Sequence, residues 1–297
     1  MGAVAGRRAP GGAARPGRRR TRPDVLRRPG RQPPGRRRAG RAGPAAAAGP
    51  AVTGPWRWAA GLAAGAALYI GLPYLLVQRG GLGLITRGDP AGRQVALTFD
   101  DGPDPRSTPP VLDALRAAGV QATFFILPAL GRQHPDLLRR LLDEGHEVLP
   151  HAHRHRHAWT LLPWTAFRDP GLAAREVGRL TATRSRCQRP PHGAYSLATV
   201  LGQRAAGVTG VHWTVEARDW AADATPGTVR AEVARQVRPG GIIVLHDAGP
   251  GARTTPAALP GILADLRARG LTVVPLRDLR GARPGTLRDV WHTLRGS

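Results

Sequence analysis

Two adjacent carboxylates close an apolar run: Val95-Ala96-Leu97-Thr98-Phe99 leads directly into Asp100-Asp101, and Gly102-Pro103-Asp104 follows. Val, Leu, Thr and Phe favour a buried strand that Gly-Pro cannot continue. The pair therefore falls at the carboxyl end of a strand, where α/β folds keep their chemistry. Asp-Gly-Pro alone is an ordinary turn, but two like charges held this close need a cation or a shared proton. Candidate partners lie at the ends of other apolar runs. His146 opens a short one, and Pro150-His151-Ala152-His153-Arg154-His155-Arg156-His157 follows it, with histidines at every second position. His151 with His155, or His153 with His157, would share one helical face at the i,i+4 spacing that a divalent metal accepts. Joined by Asp101, such a pair is a two-histidine, one-carboxylate set suited to zinc or another first-row divalent ion. Alone, the run would be a solvent-exposed His/Arg stretch. Further on, Arg189-Pro190-Pro191-His192-Gly193 is a rigid turn presenting an arginine. Trp213 to Trp220 runs into Asp219 and an aromatic ring, and Ile242 to Leu245 ends in His246-Asp247. Each segment is weak by itself; their recurrence at strand ends points to a site.

The elements that must position these groups alternate from about Arg87 onward. Helices are expected over Thr108 to Ala118, Pro135 to Glu144, Leu172 to Thr183 and Leu259 to Ala268, from apolar residues at helical spacing and glycine stops. Strands are expected over Ala122 to Leu127, His146 to Leu149, Val208 to Val215, Gly241 to Leu245 and Leu271 to Val274. Strand–helix alternation over this length predicts an α/β domain with a parallel sheet or barrel and helices outside it.

Ahead of that domain the composition changes. Residues 1–50 are Arg, Pro, Gly and Ala with Asp24 the one acid, too little apolar surface to offset the entropy of ordering. Ala59 to Val77 carries no charge and is long enough to cross a bilayer core. Trp56, Trp58 and Tyr74 suit its interfaces, and the arginines before it place the tail in the cytoplasm and the remainder outside. No small-x-small cleavage pattern follows, so an uncleaved single-pass cell-membrane anchor is expected over a signal peptide. The chain has 44 basic residues against 20 acidic, all the basic ones arginine. The lack of lysine beside so much Ala, Gly and Pro resembles coding bias, so no nucleic-acid partner is expected. The single Cys187 excludes an intrachain disulfide and a thiolate zinc cluster.

In order and spacing, the segments from Val95 to Val274 resemble the polysaccharide deacetylases, carbohydrate esterase family four with the NodB homology domain. Thr98-Phe99-Asp100-Asp101-Gly102-Pro103 matches that family's first motif, and Gly145-His146-Glu147-Val148 matches the lead-in to its second. The resemblance implies a distorted (β/α) barrel of NodB type over 93–282. It would follow a disordered cytoplasmic tail (1–54), a transmembrane anchor (55–79) and a linker (80–92), with a C-terminal tail at 283–297. It further implies Asp100 as general base and Asp101, His151 and His155 as ligands of a divalent ion, zinc foremost. Arg189 would hold Asp100, and Asp219 would orient His246, the general acid. His192 and Gly193, through a backbone N–H near the oxyanion, together with Trp220 as groove wall and Leu245 in an acetyl pocket, would meet the substrate. Pro150, Ala152, His192 and Glu216 depart from the family's usual Asn, Ser or Thr, Tyr and Asp. The implied activity is metal-dependent removal of N-acetyl groups from a cell-surface or exported N-acetylglucosamine polysaccharide such as peptidoglycan, releasing acetate. The alternatives are a same-fold hydrolase of another acetylated glycan or small C–N substrate, an inactive tethered glycan-binding domain, and an anionic-polymer binder.

Overall fold

The computed structural model describes residues 55–295, so the expected tail at 1–54 lies outside the described residues. The described part opens with helix α1 (Pro55–Ala66), which continues through wider helical turns to Arg79. Then follow β1 (Leu84–Ile85), β2 (Gln94–Asp100), α2 (Thr108–Ala118), β3 (Thr123–Ile126), α3 (Pro128–Gln133), α4 (Pro135–Asp143), β4 (Glu147–Pro150) and α5 (Pro163–Thr181). The second half holds β5 (Cys187–Gln188), α6 (Leu197–Ala206), β6 (Thr209–Val211), β7 (Val215–Glu216), α7 (Pro226–Gln236), β8 (Ile242–His246), α8 (Thr255–Ala268), β9 (Thr272–Val274) and α9 (Leu287–Leu294).

Every strand pairing among the described residues is parallel. The larger sheet runs β4-β3-β2-β8-β7, and a smaller one runs β1-β6-β5. β2 is its axis: β8 pairs with Ala96 to Asp100 along one edge, while β9 (at Gln94 to Ala96) and β3 (at Thr98 to Asp100) divide the other. β2 is buried from Val95 onward, as the near-continuous apolar run requires of a parallel strand covered on both faces. The main core lies between this sheet and helices α2, α4, α5, α7 and α8, with Leu97, Phe99, Phe124 and Leu245 at its centre. Asp100 pairs in register with His246, so two candidate groups leave the same end of the sheet side by side.

Several elements differ from the sequence reading. α5 begins well before Leu172 and runs through Pro170, whose missing N–H argues for a break; burial of Ala166, Pro170, Ala173 and Val177 carries the helix past it. The run Val208 to Val215 is two strands in different sheets, with His212, Trp213 and Thr214 between them. Within 80–92, Leu84 and Ile85 pair with Gly210 and Val211, and within 283–297, α9 buries Val290 against Gly80.

Candidate active site

Asp100 is the last residue of β2 and is buried. Its Oδ1 accepts a 2.7 Å hydrogen bond from Nη1 of Arg189, and that same nitrogen reaches Thr98 Oγ1 at 2.7 Å. Thr98 and Asp100 are two residues apart and so project from one face of the strand. The Thr98 hydroxyl in turn donates to the Ile243 carbonyl at 2.6 Å, fixing which way it accepts. Arg189 has no exposed surface, and its guanidinium lies 4.2 Å from the centre of the Phe125 ring. A buried cation requires a partner, and Asp100 is the carboxylate it meets.

Asp101 leaves the strand with φ 78, a conformation unusual for a residue with a side chain. His151 Nε2 and His155 Nε2 approach its Oδ1 at 3.2 and 3.0 Å. One donor atom from each of the three lies within 4.8 Å of the others. Burial opposes ionisation of Asp101, but the two imidazoles outweigh it and hold the carboxyl far below the ordinary carboxylate range. Asp101 Oδ1 is nonetheless buried without an aligned hydrogen-bond donor. Three electron-pair donors converging without satisfying one another fit a cation, and nitrogen with carboxylate oxygen fits zinc. The helical presentation expected for the histidines is corrected: His151 and His155 follow β4 in an irregular loop. His151 is pinned there by its N–H to the Ile126 carbonyl at 2.9 Å and by Gln188 Nε2 donating to its carbonyl at 2.8 Å. The other register is used elsewhere. His153 pairs with Glu176 at 3.1 Å, and His157 accepts from the Trp159 N–H.

His246 closes β8. Its Nδ1 lies 2.8 Å from Asp219 Oδ1, and its backbone N–H donates to Asp219 Oδ2 at 2.7 Å. Thr255 Oγ1 donates to the same Oδ2 at 2.6 Å. Burial would lower the His246 pKa, but Asp219, Asp100 and Asp101 reverse that and raise it to about 9. Gly251 makes this packing possible, since a Cβ there would lie 2.6 Å from both Asp219 Oδ2 and His246 Cβ. Sequence reasoning passed over Thr98, Gly251 and Thr255; only their contacts, which no spacing reveals, mark them.

Asp100, Asp101, His151, His155 and His246 line a cleft of about 410 Å³ with His192, Trp213, Glu216, Trp220, Val244 and Pro250, a size ordinary for small-molecule sites. Trp220 stands at the rim, half exposed, its Nε1 donating to Glu216 Oε1 at 3.3 Å. His192 takes φ 58, meets the His155 ring edge-on and stacks on His157. Gly193 is buried beneath the cleft wall rather than in it; a Cβ there would lie 2.6 Å from the Trp213 ring. Leu245 is a correction. Side chains alternate across a strand, and with His246 in the cleft it is Val244 that shares its face, while Leu245 joins the core on the other.

The sequence model of the family described as polysaccharide deacetylase matches residues 87–211. The chain is 36% identical over 208 residues to a chitooligosaccharide deacetylase of Bradyrhizobium sp. (strain ANU 289), covering 65% of this chain and 93% of the relative. It is 34% identical over 187 residues to a peptidoglycan-N-acetylglucosamine deacetylase of Bacillus cereus, covering 62% and 87% respectively. Among solved structures, a peptidoglycan N-acetylglucosamine deacetylase bound to 4-naphthalen-1-yl-N-oxidanyl-benzamide superposes with a TM-score of 0.63 at 26% identity, covering 68% of this chain and 95% of the other. The chain belongs to the polysaccharide deacetylase family and is an enzyme of its kind, a hydrolase of carbon–nitrogen bonds other than peptide bonds.

Proposed function

We propose that this chain removes N-acetyl groups from an N-acetylglucosamine polysaccharide outside the cytoplasm, peptidoglycan foremost, with Asp101, His151 and His155 holding a zinc ion. The observation that carries this reading is the convergence, in one cleft, of a buried Asp–Arg pair, an Asp/His/His donor set and a His–Asp pair. The names of the relatives support the choice of sugar.

A divalent ion bound there supplies Lewis acidity to the attacking water and the scissile carbonyl. Asp100, oriented by Arg189, takes the proton of the water as it attacks. A backbone N–H near His192 donates to the carbonyl oxygen as charge gathers on it. His246, protonated and aligned by Asp219, gives its proton to the departing nitrogen. The C–N bond breaks, leaving acetate and a free amino sugar. Trp220, half exposed at the rim, offers a flat apolar face to a pyranose ring.

Trp56–Arg79, 24 residues long, is the described helix long and apolar enough to cross a membrane. With an arginine-rich sequence before it, it would leave the cleft outside the cell. Acetate release by the full chain, with and without a chelator, on chitooligosaccharide, peptidoglycan and acetylated xylan tests the whole reading. Release from the two N-acetylglucosamine substrates, lost with chelator and restored by zinc, is expected. Release from xylan alone would overturn the substrate, and undiminished release under chelation would overturn the metal.

A further inference from the structure

The apolar helix does not stand clear of the catalytic domain. From Trp56 to Leu68 its side chains are exposed, but from Tyr69 onward it lies against the domain. Pro73 and Val77 are buried, Val77 in a cluster with Leu84 and Tyr195, and the Tyr74 ring meets the Trp159 ring edge-on at 6.0 Å. A helix of 24 residues is ~36 Å long, and a hydrocarbon core is about 30 Å thick. The free part alone, at ~1.5 Å per residue, falls well short of that thickness. If the helix crosses a bilayer, the face of the domain docked on its second half must share its depth.

That face has the composition such a position demands. Leu162, Trp164 and Phe167, at the start of α5, and Leu201, on α6, are all more than two-fifths exposed. Trp164 and Phe167 are three residues apart and so neighbours on one helix surface. The backbone of Phe167 packs on Gly202 of α6, and α6 in turn packs against the apolar helix near Ala67 to Gly71. The patch is therefore continuous with the helix's own exposed Leu68, Leu72 and Leu75. Around it Arg156, Arg168 and Arg204 are exposed, and none meets a carboxylate among the described residues. Apolar and aromatic side chains bordered by unpaired arginines match the boundary of an anionic leaflet, where tryptophan rings sit at headgroup level.

We propose that the α5–α6 face is a second membrane contact, seated in the outer part of the leaflet that the helix leaves, with anionic lipid as its partner. This rests on the anchor reading above and goes beyond it, because a helix alone would leave the α5–α6 face in water. The cleft then opens at the lipid surface. From His155 a file of rings runs through His192 (5.0 Å), His157 (5.1 Å) and Trp159 (4.9 Å) to Tyr74 on the helix itself. The enzyme would work on glycan lying against the membrane rather than on strands out of reach above it.

The full chain, with Cys187→Ser removing the native thiol, is reconstituted in phosphatidylglycerol-containing nanodiscs and spin-labelled singly at Leu62→Cys, Trp164→Cys, Leu201→Cys or Ala264→Cys. Power saturation compares access of oxygen, which partitions into lipid, with access of a water-soluble nickel chelate. Oxygen should dominate at 62, 164 and 201, and nickel at 264 on α8. Phe167→Cys replaces Trp164→Cys if that variant fails to fold, judged by acetate release on soluble chitooligosaccharide. Oxygen dominance at 62 with nickel dominance at 164 and 201 overturns the second contact and leaves the anchor standing. Nickel dominance at 62 as well overturns both.

Discussion

Asp219 acts on the proposed reaction through a single neighbour. It takes the backbone N–H and the ring Nδ1 of His246 with its two oxygens, so it sets both the position of the imidazole and its protonation. His246 has a pKa raised to about 9 despite burial, which works the other way. The protonated form that donates to the leaving amine is thus present below about pH 9 and lost above it. Asp219→Asn removes the main attraction and leaves burial to act; the alkaline limb of the kcat profile should then move to lower pH, read from acetate release between pH 6 and 10. The same shift bears on stability. The folded pKa exceeds the ordinary value of about 6.5, so the His246–Asp219 pair stabilises the fold fully below pH 6.5 and progressively less as pH climbs to about 9. Asp100→Asn keeps the size of the side chain and removes its basicity. It should lower kcat by roughly 10²- to 10⁴-fold while zinc content, measured by elemental analysis, stays at one per chain. Loss of zinc in that variant would reassign Asp100 to the ligand set.

At the scale of the element, β8 shows what the sequence could and could not carry. That Asp100, Asp101 and His246 end strands was legible, because apolar strand formers stop abruptly at each. That Leu245 belongs to the core follows from the same alternation once His246 is placed in the cleft, a phase the residue types alone do not reveal. Leu245→Ala should destabilise the fold by about 2–5 kcal/mol in urea unfolding, with KM near that of the parent. Val244→Ala should instead raise KM for acetylated substrate, with a smaller loss of stability because it removes two buried carbons rather than three. A spacing of four suits a helix, yet an irregular loop after β4, pinned at His151 by the Ile126 carbonyl and the Gln188 side chain, brings the same two nitrogens together. α6 and α7 went unread because their short, Ala- and Gly-containing turns show little periodicity. Thr98, Gly251 and Thr255 were illegible for another reason. Their importance lies in partners 145, 32 and 36 positions distant along the chain or nearer only in space, such as Thr98 with the Ile243 carbonyl and Thr255 with Asp219.

For the whole molecule, the proposed metal ties binding to folding. Asp101 directly follows β2 and the two histidines lie in the loop after β4, so an ion held among them would tie together the ends of the two strands that flank β3 in the larger sheet. Zinc present at a hundredfold its dissociation constant should add about 2.7 kcal/mol to stability, read as a rise in the thermal midpoint that Asp101→Asn abolishes. A midpoint indifferent to zinc and chelator alike would remove the metal from the structural account as well as the chemical one. The division of β2 between β3 and β9 on one edge, with β8 along the other, carries a further consequence for the newborn polypeptide. The strand bearing both aspartates is made early, but one whole flank of it waits for Ile242 to His246 to emerge. On the proposed outward topology, a chain threading across in order of synthesis would therefore be chemically mute for most of its passage, and its first hydrolytic turnover would follow delivery of nearly all of it to the far side.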